Sequence, residues 1–105
     1  MTTDPSTRAE FIAGLRRLAA FLADNPKVPV PTYGAEISVH AQGSDDDQRA
    51  AVDRVADLIG SPASDGIDYI TARDFGPITY QAVADSRERM RDLDAWFGYR
   101  NTAAA

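Results

Sequence analysis

The sequence predicts a small α+β domain of two layers, on three observations: apolar residues recurring at helical spacing in three segments, period-two alternation in a stretch between them, and a hairpin pattern before the last. The expected order is α-β-α-β-β-α, with three strands in a mostly antiparallel sheet of order 1-3-2 and helices on one face.

The first helix rests on Phe11, Ile12, Leu15, Leu18, Ala19 and Leu22, which share one helical face. Two starts fit the capping rules: Thr7 with Glu10 as a capping box, or Asp4-Pro5 one turn earlier. The helix should end near Asp24-Asn25-Pro26, because proline disfavours helical geometry in the residue before it. Val28-Pro29-Val30-Pro31 then reads as an extended connector lying over the core through its valines, since alternate residues lack an amide donor. As a ligand for proline-recognition domains it is short and sits between core elements.

Residues 35–41 alternate Ala35, Ile37, Val39 and Ala41 against Glu36, Ser38 and His40, the pattern of a strand with one buried face. Helix two opens at Ser44, with Asp45, Asp46 and Asp47 in its positive first turn and Ala51, Val52, Val55, Leu58 and Ile59 along the apolar face. Gly60 and Pro62 stop it. Residues 69–73 and 77–83 form the hairpin, turning through Asp74-Phe75-Gly76. The last helix starts at Asp85 with Glu88 as its box partner, turns Met90, Leu93, Trp96 and Phe97 inward, and ends at Gly98.

A length of 105 residues with no long linker and no internal repeat suits one domain, 1–105, with 1–6 and 99–105 as loose ends. There is no cysteine, which removes disulfides, thiolate nucleophiles and cysteine-based metal sites together. No apolar run approaches the roughly 18 residues of a membrane span, and Met1-Thr2-Thr3-Asp4-Pro5 lacks the basic and apolar parts of a signal peptide, so the expected location is the cytoplasm.

The net charge of −5 is unevenly distributed, with four bases and three acids in residues 1–30 against seven bases and thirteen acids in the rest. An acidic body of this kind disfavours phosphate backbones and anionic lipid, so neither nucleic acid nor membrane is expected as a partner. The bases are ten Arg and one Lys along the whole chain, a bias that reads as codon usage in a GC-rich genome before it reads as chemistry.

Catalytic patterns are thin. His40 is the one histidine, and with Asp45, Asp46 and Asp47 it suggests a metal site, but three aspartates after a serine cap are what a helix N-terminus favours. Ser38, His40 and an aspartate spell a relay without a nucleophile elbow, since Ser38 and His40 neighbour each other on one strand face. Asp74-Phe75-Gly76 is the kinase triplet without its companions, and the scattered glycines make no phosphate loop. Arg87, Arg89 and Arg91, of which Arg87 and Arg91 share a face, suggest an anion site, but such residues more often form a solvated face paired with Glu88, Asp92 or Asp94. No catalytic residue, metal ligand or cofactor is expected.

A surface remains. If Ile37, Val39, Ile70, Ala72, Ile78, Tyr80 and Ala82 face the helices, the open sheet face carries Glu36, Ser38, His40, Tyr69, Thr71, Arg73, Thr79 and Gln81, a mixed polar surface suited to protein contact. It carries too few stacking aromatics for an RNA-binding sheet.

With Phe11-Ile12-Ala13-Gly14-Leu15-Arg16, Pro29-Val30-Pro31 and Phe75-Gly76-Pro77-Ile78-Thr79-Tyr80, the chain resembles small uncharacterised proteins of streptomycetes, related actinobacteria and their mobile elements. That resemblance implies a high-GC source and carries over neither an activity nor site residues. The favoured reading is a non-enzymatic protein-binding or regulatory module whose partner is another protein or a second copy of itself. Two others stand beside it: a small enzyme or metal-binding protein centred on His40 and nearby carboxylates, and a mobile-element inhibitor that uses acidic surface against a nucleic-acid-binding protein.

Overall fold

A computed structural model describes residues 2–85 of the chain, which divides into two compact units, Met1–Ala35 and Glu36–Ala105. The helix expected from Asp85 onward, with Arg87, Arg89 and Arg91, lies outside the described residues, as does the loose end 99–105.

The first unit contains helix α1, Pro5–Asp24. Of the two possible starts the chain uses the earlier: Asp4 is the N-cap, and its carboxylate accepts the amides of Ser6 at 3.0 Å and Thr7 at 3.1 Å. Proline at the first helical position loses nothing, because that amide has no partner inside a helix. The expected loose segment 1–6 thus gives its last two residues to α1. At the other end Asn25 closes the helix, its backbone amide and side-chain Nδ2 both donating to the Phe21 carbonyl, at 3.0 and 2.8 Å. No residue of α1 is buried. In the connector after it, Val28 and Val30 are 37% and 61% exposed.

The second unit is α+β. Strand β1 (Ala35–His40) leads to helix α2 (Asp45–Ile59), then to β2 (Ser64–Asp65), β3 (Tyr69–Phe75) and β4 (Ile78–Ala84). The sheet order is β1-β4-β3-β2. The β2–β3 and β3–β4 pairs are antiparallel and the sheet as a whole is mixed, so β1 and β4 are the parallel pair. This corrects the expected sheet of three strands. Two residues are too few to show a period, and Ser64-Asp65-Gly66 has the composition of a loop, so β2 has no sequence signature.

Helix α2 follows its capping signals. Ser44 Oγ accepts the Asp47 amide at 3.2 Å, Asp47 returns the bond to the Ser44 amide, and Gly60 closes the helix in the left-handed conformation. Ala51, Val52 and Ala56 are buried against the sheet, and Val52 is fully covered. Leu58, expected on that face, is 83% exposed. At 100° per residue it lies about 120° around the helix from Val52, while Gln48, two turns from Val55, falls within the stripe and is buried.

The face assignment is where the sequence reading fails. A three-residue turn at 74–76 sets Ile70 and Ala72 on the same side as Ile78, Tyr80 and Ala82. The actual turn has two residues, Gly76 and Pro77, because Phe75 pairs with Ile78, Arg73 with Tyr80, Thr71 with Ala82 and Tyr69 with Ala84. Gly76 at φ 62 followed by proline has the sign pattern of a type II′ turn, the kind whose twist suits a hairpin. The shift is odd, so it moves every β3 side chain to the other face. Tyr69 and Thr71 therefore face α2, and Ile70 and Ala72 do not.

The core is shallow and built from small residues: Ala41, Ala51, Val52 and Ala84, with Ala63 and Tyr69 packed on it and Thr71 and Ala82 sealed beside it. Thr71 is a buried hydroxyl with a partner, donating to the Ser61 carbonyl at 2.7 Å, and this ties the segment after α2 to β3.

Candidate functional site

The eight residues expected to share one polar sheet face are split between two. Ser38 and Gln81 do meet, the Gln81 amide donating to Ser38 Oγ at 2.7 Å. His40 and Asp85 meet beside them, Nδ1 to Oδ2 at 3.1 Å. Strand alternation adds Glu36 to this face, and the pairing of Asp74 with Thr79 adds Thr79, whose hydroxyl donates to the Asp74 carboxylate at 2.6 Å. Tyr69, Thr71 and Arg73 lie on the opposite face, toward α2, and the Arg73 guanidinium sits 5.0 Å from the Phe75 ring centre on that same side.

Tyr69 belongs instead to a cluster that joins α2 to the sheet edge. Its hydroxyl donates to Asp53 on α2, and Arg49, one turn earlier on the helix, lies over its ring with Cζ 4.0 Å from the centroid. Arg49 also reaches Asp65 on β2 with both terminal nitrogens, at 3.0 and 3.1 Å, a two-pronged contact whose fork geometry a lysine cannot reproduce. The hydrogen bond from Arg49 lowers the pKa of Asp65, and the bond to Asp65 raises that of Arg49. The bond to Asp53 holds the Tyr69 phenol above its ordinary value, with desolvation adding to the rise.

A cavity of about 230 Å³ opens beside this cluster at the N-terminal end of α2. Among the described residues Asp45, Asp65, Asp68, Asp85 and Arg49 line it, with Asp65 paired to Arg49 and Asp85 to His40. Gln48, 92% buried, forms part of the wall. Its Nε2 donates to the Gly43 carbonyl at 3.0 Å, which fixes the amide, and its Oε1 has no hydrogen-bond partner. A buried acceptor left in this state carries a desolvation cost. The lining among the described residues is predominantly acidic.

His40 does not gather the aspartates of α2. Asp47 is committed to the Ser44 cap, and among the described residues no group of three or more His, Cys, Asp or Glu is placed to hold a metal ion. The Ser38–His40–Asp relay has its His–Asp contact in Asp85, while the Ser38 hydroxyl accepts from Gln81. No hydrogen bond joins the Ser38 and His40 side chains, which are engaged by Gln81 and Asp85 respectively. Among the described residues no helix is long and apolar enough to cross a membrane.

The sequence held part of the Tyr69 cluster in plain view. Arg49 and Asp53 are four apart on α2 and so share a side of the helix. What it lacked was β2, which brings Asp65 to them, and the correct hairpin register, which turns Tyr69 toward them. Scanning the chain against protein-family models, the curated proteins and the solved structures found no match.

Proposed function

We propose that the chain is a non-enzymatic protein-binding or regulatory module, and that its second unit receives a basic side chain of a partner protein in the acidic cavity at the start of α2. The observation that carries this reading is the acidic character of the cavity lining among the described residues, where Asp45, Asp65, Asp68 and Asp85 stand around Gln48. An arginine or lysine side chain brings positive charge and N–H donors to such a lining. The open-face surface expected from the sequence is not kept, because Tyr69, Thr71 and Arg73 point the other way.

The test is equilibrium binding of a fluorescent arginine-containing peptide and of its glutamate counterpart to the full chain. The arginine peptide should bind, more weakly as salt rises. Asp85→Asn and Asp68→Asn should each weaken it about tenfold, the loss of one charge-assisted contact. Asp57→Asn, an exposed substitution on α2 away from the cavity lining, serves as the control. Equal losses in all three variants would reduce the effect to nonspecific attraction and remove the site.

A further inference from the structure

Helix α1 carries an apolar stripe that its own unit leaves uncovered. Phe11, Leu18 and Phe21 are 52–54% exposed, Ile12 and Leu15 about 40%, and no residue of the helix is buried. A stripe of this size, on the order of 450 Å², exceeds the isolated apolar residues normal on a surface and marks an interaction site. We propose that its occupant is the α1 helix of a second copy, packed antiparallel about a two-fold axis.

Three features of the helix favour a copy of itself in that orientation. The first is register. Full overlap of two 20-residue helices sets the axis between residues 14 and 15, which places Phe11 level with Leu18 of the partner and Gly14 level with its Leu15. The second is space at the crossing. A Cβ on Gly14 would meet nothing within 4 Å, so the centre of the helix presents bare backbone on which a leucine can sit closely.

The third is charge. Glu10 and Arg17 lie side by side along one border of the stripe at 100° per residue, and in the antiparallel register Glu10 of each copy falls within two residues, about 3 Å along the axis, of Arg17 of the other. Two symmetric ion pairs result. A parallel pair sets this border against the opposite one, which carries Arg16 and no acid, and leaves Arg17 facing a cation. Covering both stripes together with the arginine stems removes on the order of 1,200 Å², the low end of stable interfaces, which suits a reversible dimer.

Sedimentation equilibrium of the full chain, from micromolar to submillimolar concentration, tests this directly. The mass should rise from 11.4 kDa toward twice that value as concentration increases. Leu18→Asp should raise Kd at least about 100-fold. Because that variant also perturbs the helix, the decisive set is Glu10→Arg, Arg17→Glu and the two combined. Each single change should weaken the dimer about tenfold, and the double change should restore it to within about threefold, since only facing copies exchange these charges. A mass fixed at 11.4 kDa throughout, or a double variant as weak as the singles, overturns the proposal. Asp85→Asn, which tests the cavity, should leave the dimer unchanged, so the two readings fail separately.

Discussion

Three side chains tie the second unit together through polar contacts at the margin of its small core. Thr71 is nearly fully buried and gives its hydroxyl to the Ser61 carbonyl. Thr71→Val keeps the shape and leaves that carbonyl without its donor, so urea unfolding should show a loss of about 1–3 kcal/mol. Val52 is fully covered, and Val52→Ala should cost about 1–2 kcal/mol by the same measurement, as a lost methyl pair plus the space it leaves. Asp65 and Tyr69 respond to pH in opposite ranges. Asp65 has its pKa lowered by Arg49, so the stability it contributes is present above the ordinary carboxylate pKa of about 4 and is lost as pH falls through the lower folded value. Tyr69 has its pKa raised by Asp53, so its contribution is present below the ordinary phenol pKa of about 10 and is lost as pH rises through the higher folded value. Thermal melts of wild type and Tyr69→Phe should accordingly differ at pH 8 and converge in strong alkali. A gap that persists there would mean the phenol makes no titrating contribution.

The β3–β4 hairpin and strand β2 decide where the functional side chains go. Gly76 holds φ 62 at the first turn position, a conformation costly to any residue with a Cβ, so Gly76→Ala should destabilise the chain by about 1–2 kcal/mol in urea unfolding and loosen the register that orients Tyr69. Arg49 is the link from α2 to β2. Its contact with Asp65 is at the surface, so Arg49→Ala should change overall stability little and act locally, raising amide hydrogen exchange at Gly66, whose amide bonds to the Asp68 carbonyl beside β2. Capping residues made the helices legible: Ser44 and Gly60 bound α2 as read, and Asp4-Pro5 was one of two starts for α1. Alternation made β1 legible, with Ile37 and Val39 partly covered and Ser38 and His40 exposed. The hairpin was legible as a hairpin but not in register, because both Asp74-Phe75-Gly76 and Gly76-Pro77 have turn chemistry and one residue of difference reverses the faces. Nothing local distinguishes them. The buried pair Thr71 and Ala82 does, and that pair exists only once the strands are aligned.

At the scale of the whole chain, sequence and structure speak to charge in different ways. The acidic excess of the second unit is plain in composition, but the cavity that collects four of its carboxylates is not, since Asp45, Asp65, Asp68 and Asp85 come from the start of α2, from β2, from the loop after it and from the residue after β4. Gln48 was unreadable as a site residue for a related reason: it occupies an apolar position of a helical stripe, and only the fold shows that its Oε1 is left without a donor. The two proposed surfaces use opposite chemistry, an apolar stripe on α1 proposed to pair with a second copy and an acidic cavity beside α2 proposed to receive a basic partner. The most direct measurement is a nitrogen-15 NMR titration of the full chain with N-acetylarginine amide, a probe that carries the guanidinium and little else. The expected result is saturable shifts confined to the cavity, at the backbone amides of Asp45, Asp68 and Asp85 and at the side-chain amide of Gln48. Shifts spread over the acidic surface without saturation, or none at Gln48, would contradict the cavity as the binding site.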